Sequence, residues 1–174
     1  MKRLSVPLLK QGRLECGPTA LRMVMAYFGK NVASKDVIKG VGGIKRYGVK
    51  TIELADFSRE LGFKVTCYSS NRKLAKGRAK IKNPDKKDII KFLDRRMPVI
   101  AAVRSHLLYN KRPSKMGHFL VITKYQKGKF WYNDPRDGLQ HKIADNVLMG
   151  ALIDNAKDSS AYLLVLEPTQ SSPA

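Results

Sequence analysis

Apolar positions in the first half of the chain recur at helical spacing. Ala20, Leu21, Val24, Met25 and Phe28 fall on one face of residues 16–28, with Pro18 in the first turn and Gly29 just beyond the last. That spacing predicts a helix, because proline suits the start of a helix and glycine its C-terminal stop. Ser34 suits the N-cap of a short helix reaching Ile38, and the four glycines of 40–48 predict a loop. Residues 51–61 return to helical period through Ile52, Leu54, Ala55, Phe57 and Leu61, and Gly62 ends them. Phe63 to Cys67 then alternates apolar with polar, the pattern of a half-buried strand. Pro84-Asp85 opens another helix, with Ile89, Ile90, Phe92 and Leu93 as its buried side.

The pattern changes in the second half. Pro98 to Val103 is a short apolar strand, and 104–117 reads as a polar loop. His118 to Tyr125 is the strongest strand, 126–129 a turn, and Phe130 to Tyr132 the returning strand, stopped by Asn133-Asp134-Pro135. Ala161 to Leu166 is a last apolar strand. Helices followed by antiparallel strands predict an α+β fold. One domain over residues 1–168 is expected, in two lobes meeting near 62–70, with 169–174 as a disordered tail.

Length and composition agree with this reading. A chain of 174 residues with 43% hydrophobic and 28% charged residues can bury a core and reads as globular. No apolar run approaches the roughly 18 residues of a membrane span. The basic and then apolar start is too short for a secretory segment and is ended by Lys10, so a cytoplasmic chain is expected. Cys16 and Cys67 match neither a disulfide scaffold nor a zinc spacing, and no carboxylate pair at metal-ligand spacing is apparent. No metal and no cofactor is therefore expected.

Charge is the unusual quantity, at a formal +20. Residues 71–96 hold eleven Lys/Arg against Asp85, Asp88 and Asp94. Such a stretch attracts an acidic partner or a polyanion. No nucleic-acid motif accompanies it, and Phe92 alone among aromatics falls within it.

Candidate chemistry lies in Gln11-Gly-Arg-Leu-Glu-Cys16-Gly17-Pro18-Thr19-Ala20-Leu21. Cys16 stands where the first predicted helix begins, and the unpaired N–H groups of a first turn stabilise a thiolate. The thiolate is the nucleophilic form, so this placement suits covalent catalysis. The backbone N–H of Cys16 and the side-chain amide of Gln11 are candidate oxyanion donors. A base is found in His118, which opens the strongest strand. Its carboxylate partner depends on hairpin register. Centred on Gln126, the hairpin sets 118 opposite Asp134; with Lys127-Gly128 as a two-residue turn, Val121 faces Asp134 and His118 faces Asp137. Asp134 is favoured because Pro135 turns the chain out of the sheet there, and Asp137 stays a rival. His141 has no partner motif, Cys67 reads as core, and one of Trp131 and Tyr132 should face inward.

Taken together, the Gln11-x4-Cys16-Gly17-Pro18-Thr19-Ala20-Leu21 run, the helix ending Tyr27-Phe28-Gly29, Gly117-His118-Phe119-Leu120-Val121-Ile122 and Asn133-Asp134-Pro135 resemble the bacteriocin-processing double-glycine leader peptidases. These are papain-like cysteine peptidases, often the N-terminal domain of peptide-exporting ABC transporters. The resemblance covers about residues 5–167. It implies Cys16 as nucleophile, His118 as general base and acid, Asp134 as orienter and Gln11 as oxyanion-hole donor. It also implies a papain-like α+β fold, with the cysteine on a helical lobe and the histidine on a sheet lobe. This sequence has no transmembrane stretch and no G-x4-G-K-[ST] phosphate loop, so it reads as a stand-alone member acting on a peptide or protein substrate, with cleavage after small residues such as Gly-Gly. An acyl or peptidyl transferase using the same residues, and a non-catalytic basic binding module, are the alternatives.

Overall fold

The computed structural model of the protein describes residues 1–169, and 170–174, most of the expected tail, lie outside them. The elements run α1 (Cys16–Tyr27), α2 (Ser34–Gly40), α3 (Thr51–Glu60), β1 (Phe63–Ser69), α4 (Arg72–Ala75), β2 (Lys80–Ile81), α5 (Lys86–Asp94), β3 (Val99–Arg104), α6 (Ser105–Tyr109), β4 (Gly117–Gln126), β5 (Lys129–Asp134), β6 (Leu139–Ala144), α7 (Asp145–Ala156) and β7 (Leu163–Pro168). The fold is α+β, built on one seven-stranded sheet of order β2-β1-β7-β3-β4-β5-β6. All neighbours are antiparallel except β1 and β2. Residues 63–69, where two lobes were expected to meet, run inside this continuous sheet. Thr169, expected in the tail, donates its hydroxyl to the Gly62 carbonyl at 2.6 Å.

Every residue of β3 is buried, as is β4 from His118 to Thr123. A strand buried along its whole length has both faces covered, which explains why β3 reads as a continuous apolar run. The covering helices are α7 on β3, α1 on β4 and α3 on β1. Helix α1 is amphipathic as its spacing requires, with Ala20, Leu21, Met23, Val24 and Met25 inaccessible to solvent. Gly29, at φ +81, lets the chain fold back so that Lys30 N–H reaches the Met25 carbonyl at 2.9 Å.

Three elements of the second half escape the hydrophobic pattern. Helix α7 lies where no helix was expected. Its apolar residues wrap around it, Gly150 interrupts it, and Val147 and Ile153 stay exposed, so it carries no clean apolar stripe. Strand β6 is an edge strand with no apolar alternation. Helix α6 occupies the start of the stretch read as a polar loop.

The hairpin β4–β5 sets the position of the site, and its register differs from both expectations. Gln126 pairs with Lys129 across a two-residue Lys127-Gly128 turn, and Lys124 pairs with Trp131, but beyond Thr123 the partners shift by one, to Ile122–Tyr132 and Val121–Asn133. Thr123 is the extra residue of a β-bulge. Side chains alternate with period two, so one inserted residue exchanges the faces of everything beyond it. Without the bulge Asp134 would lie opposite Val121, on the other face from His118. With it, the register continues to Leu120, which shares a face with His118. The N-terminal segment straps this region: Leu4 N–H donates to the Thr123 carbonyl at 3.1 Å, Asn133 Nδ2 to the Val6 carbonyl at 3.0 Å, and Gln11 N–H to the Pro135 carbonyl at 2.8 Å.

Candidate active site

Cys16 is the first residue of α1, and the preceding Glu15 gives the helix no side-chain cap. The Glu15 carboxylate instead accepts the Gly12 N–H at 3.2 Å, and Leu14 takes a left-handed φ of 59°, so the chain turns sharply into the helix. The uncapped first turn is free to serve the sulfur, and the backbone N–H groups of Gly17 and Phe119 favour its thiolate. Gly17 matters for a second reason. A Cβ there would stand 3.1 Å from the Phe119 ring and 3.3 Å from Leu54 Cδ1, so glycine permits the close approach of α1 to β4.

His118 lies on β4, 7% exposed. Its Nε2 donates to Asp134 Oδ1 at 2.7 Å, which leaves Nδ1 for the hydrogen bond it shares with Cys16. Asp134, at the end of β5, is fully buried and well supplied with donors. Oδ1 also accepts the Arg136 N–H at 2.9 Å, Oδ2 accepts the Tyr109 hydroxyl, and the Arg136 guanidinium lies 3.8 Å away. The rival Asp137 binds His141 instead, at 2.8 Å. His141, which had no partner by motif, thus has one. Asp134, Asp137 and His141 bring one ligand-type atom each within 4.8 Å of one another, a grouping the sequence did not reveal. The cation of Arg136 already faces both carboxylates, at 3.8 and 3.7 Å.

The electrostatics follow from burial opposed by pairing. Burial pushes the Cys16 thiol up, but the hydrogen bond and charge of His118, with the Phe119 and Gly17 N–H groups, hold it below the usual thiol range. For His118 burial disfavours the cation, yet bonds to Asp134 and Cys16 raise it to about 9. Asp134, which burial alone would raise, is brought down to about 2 by His118, Tyr109 and the Arg136 N–H. All three directions favour a thiolate–imidazolium pair backed by a carboxylate. Cys67 is the contrast. Buried in β1 with no cation hydrogen-bonded to it, its thiol is pushed up to about 12, out of reach of neutral pH.

Cys16 and His118 line a cavity of about 640 Å³ whose walls are residues 47–51, 114–119 and 155–160 in part. Arg104, 2% exposed, joins two of these walls. Its guanidinium donates to the Asp158 carboxylate at 2.6 Å, the Asp154 carboxylate at 2.8 Å and the Lys115 carbonyl at 2.6 Å. Its place at the start of a basic loop gave no sign of burial, whereas Asp154 and Asp158, four apart near the end of α7, were the available clue. Gln11 is not in the cavity wall. Its Nε2 donates to the Gly12 carbonyl at 3.1 Å, and its Oε1 is buried without a partner.

Tyr109 is the residue of this cluster that sequence reasoning missed. It ends α6, its hydroxyl meets Asp134, and the Arg136 guanidinium lies 3.8 Å from its ring centre. The apolar Leu107-Leu108-Tyr109 run inside an otherwise polar stretch was its one signal. Tyr109→Phe leaves a buried carboxylate oxygen short of a donor, which costs about 1–3 kcal/mol. A urea midpoint at pH 7 that does not move would mean that Arg136 satisfies Oδ2 by itself.

Comparison with known proteins identifies the fold and the family. Solved structures of peptidase domains share the fold, three of them as follows. A proposed C39-like peptidase from Bacillus anthracis superposes with a TM-score of 0.71 at 14% identity, covering 98% of this chain and 100% of that one. The peptidase domain of Streptococcus ComA, a bifunctional ABC transporter involved in quorum sensing, gives 0.64 at 16% identity, covering 94% and 99%. A double-glycine-motif protease from an AMS/PCAT transporter, in complex with its leader peptide, gives 0.57 at 23% identity, covering 96% and 94%. Among curated protein sequences none matches the chain. The model of the peptidase C39-like family matches residues 3–154, most of the sequence. With the fold of C39 cysteine peptidase domains and a family match of that extent, the chain belongs to the peptidase C39-like family.

Proposed function

We propose that the protein is a cysteine peptidase that hydrolyses peptide bonds through Cys16, His118 and Asp134. The observation that carries this reading is the convergence of Cys16 and His118 on one cavity, with His118 Nε2 bonded to Asp134 at 2.7 Å and the imidazole holding the thiol below its usual range. The thiolate of Cys16 attacks the scissile carbonyl carbon. The resulting oxyanion is held by the Cys16 N–H, and Gln11 joins it only by turning its amide off the Gly12 carbonyl and into the cavity. The imidazolium of His118 gives its proton to the leaving amine, and a thioester forms on Cys16. Water, deprotonated by His118, attacks the thioester and releases the acid and the thiolate. Asp134 holds the ring orientation and stabilises its charge throughout.

Cleavage after small residues such as Gly-Gly is the specificity we infer. It is supported by the leader peptide bound to the double-glycine-motif protease of the same fold. Residues 1–168 would act as one domain, and no helix among the described residues is long and apolar enough to cross a membrane. Two free thiols fit the reducing conditions of a cytoplasm. The stretch 71–96 gains no support as an acidic-partner site, since Arg78, Lys82, Lys86 and Arg95 are ion-paired with carboxylates of the protein itself.

A peptide library profiled by mass spectrometry tests the proposal. The wild type should cut a subset sharing small residues before the cleaved bond, and Cys16→Ala should cut none of them. Equal profiles for the two proteins would end the reading. Ligation to an added amine in place of hydrolysis would indicate the transferase chemistry instead.

A further inference from the structure

We infer that Asn155 binds the main chain of the substrate beside the scissile bond, so that the cavity recognises an extended peptide backbone through a side-chain amide. This rests on the peptidase reading and adds a residue that the triad does not include. Asn155 ends the wall of the cavity formed by α7 and is 5% exposed. Its backbone carbonyl is occupied, accepting the Asp158 N–H at 3.0 Å. Its side-chain amide makes no hydrogen bond to any described residue, and neither of its atoms is sealed from solvent in the way the Gln11 oxygen is. An amide so placed is solvated in the free protein and can exchange that water for a partner that enters the cavity.

The place of that amide is well defined. A Cβ on Gly117 would stand 3.2 Å from Asn155 Oδ1 and 3.5 Å from Nδ2. The amide therefore lies against Gly117, the residue directly before His118, and it can lie there because Gly117 has no side chain. Tyr47, Lys50 and Lys115 stand exposed at the rim of the cavity, and the hydroxyls deeper in the wall are engaged within the protein. The Thr51 and Ser159 hydroxyls donate to the Ala161 carbonyl at 2.7 and 2.6 Å, Ser160 Oγ accepts the Ile52 N–H at 3.3 Å, and the Asp158 carboxylate is held by Arg104 at 2.6 Å. Asn155 keeps its capacity. A primary amide offers one acceptor and two donors, which match the N–H and C=O of a peptide unit whatever side chain that unit carries.

The test compares two reagents that alkylate Cys16. Acetyl-Ala-Gly-Gly chloromethyl ketone brings a peptide main chain into the cavity, and chloroacetamide does not. Each rate is divided by the rate with free cysteine. In the wild type the peptide reagent should be the faster after this correction. Asn155→Leu keeps the volume and loses both hydrogen bonds, and it should slow the peptide reagent by about tenfold or more while leaving chloroacetamide within about twofold. N-methylation of the peptide reagent's glycine nitrogens should slow the wild type and leave Asn155→Leu without further loss. The inference is overturned if Asn155→Leu keeps the peptide rate, or if both reagents slow together, as a loss of fold or of thiolate would cause. It is also overturned if the peptide confers no advantage on the wild type while Cys16 still reacts faster than Cys67, and in that case the peptidase reading stands. If Cys16 reacts no faster than Cys67, the peptidase reading itself fails and the inference goes with it.

Discussion

Replacing His118 with alanine should cut the alkylation of Cys16 by iodoacetamide at pH 7 by about 10- to 100-fold. The sulfur is largely buried, and burial alone raises a thiol. What reverses that is the hydrogen bond and positive charge of His118, helped by two backbone N–H groups. Without the imidazole the thiol returns at least to its ordinary range, where only a few per cent is ionised at pH 7. The higher intrinsic nucleophilicity of a more basic thiolate recovers part of the loss, which sets the lower bound of the range. Peptide hydrolysis should fall further than alkylation, because the same ring protonates the leaving amine. Cys67 is an internal reference in the same protein, since its thiol is pushed up to about 12 by burial and owes nothing to His118. A His118→Ala protein that labels as fast as wild type would show that the helix terminus alone activates the sulfur.

Asp134→Ala should narrow the pH range of activity from its alkaline side and reduce turnover at pH 8 by about 100-fold or more. The reacting form is the thiolate with the imidazolium. It is present above the lowered ionisation of Cys16 and below that of His118, about 9. Raising the pH through 9 therefore removes the proton that the leaving amine needs, and the wild-type rate should fall there. Asp134 accepts the charged hydrogen bond from Nε2, and such a bond is worth about 1.5–3 kcal/mol, or roughly 1–2 pH units. Its loss moves the alkaline limb down by that amount, because a buried histidine without its carboxylate loses its proton more readily. Asp134 itself, near 2, stays ionised across the range, so no acid limb above pH 4 belongs to it. An alkaline limb that stays in place in Asp134→Ala would mean that Cys16 alone sustains the imidazolium. Asp137→Ala is the control. Its partner is His141, and it should leave the alkaline limb where it is.

The residues near Cys16 show how far local pattern reaches. A helix beginning at Cys16 follows from the spacing of Ala20, Leu21, Val24 and Met25 and from Pro18 and Gly29, all within thirteen residues of the sulfur. The strand carrying His118 follows from a run of apolar β-formers, and its antiparallel partner from a turn. Such features depend on neighbours in sequence, so they are visible in it. The motifs around Cys16, His118 and Asp134 likewise pointed to the family before any distance was known. Helix α7 was not visible, since apolar residues all around a helix leave no period to detect, and Asn155 went unnoticed with it. Tyr109 and Arg104 were hidden in a stretch whose polarity suggests exposure. Their placement depends on Asp134, Asp154 and Asp158, between 25 and 54 residues away.

The choice between Asp134 and Asp137 marks the boundary most clearly. Spacing allowed either carboxylate to meet His118, because a strand pattern specifies which residues alternate and not where an extra one is accommodated. The bulge at Thr123 made the choice, by returning Asp134 to the face that His118 shares. Nothing in Ile122-Thr123-Lys124 requires a bulge. It is held by contacts from elsewhere, among them the Leu4 N–H on the Thr123 carbonyl and the Thr123 hydroxyl on the Trp131 carbonyl. The kinds of residue and the order of the elements were written in the chain, because they rest on interactions a few residues long. Which carboxylate reached the imidazole, and what closed around it, was set by packing between segments well separated in the chain, some as distant as Leu4 and Thr123.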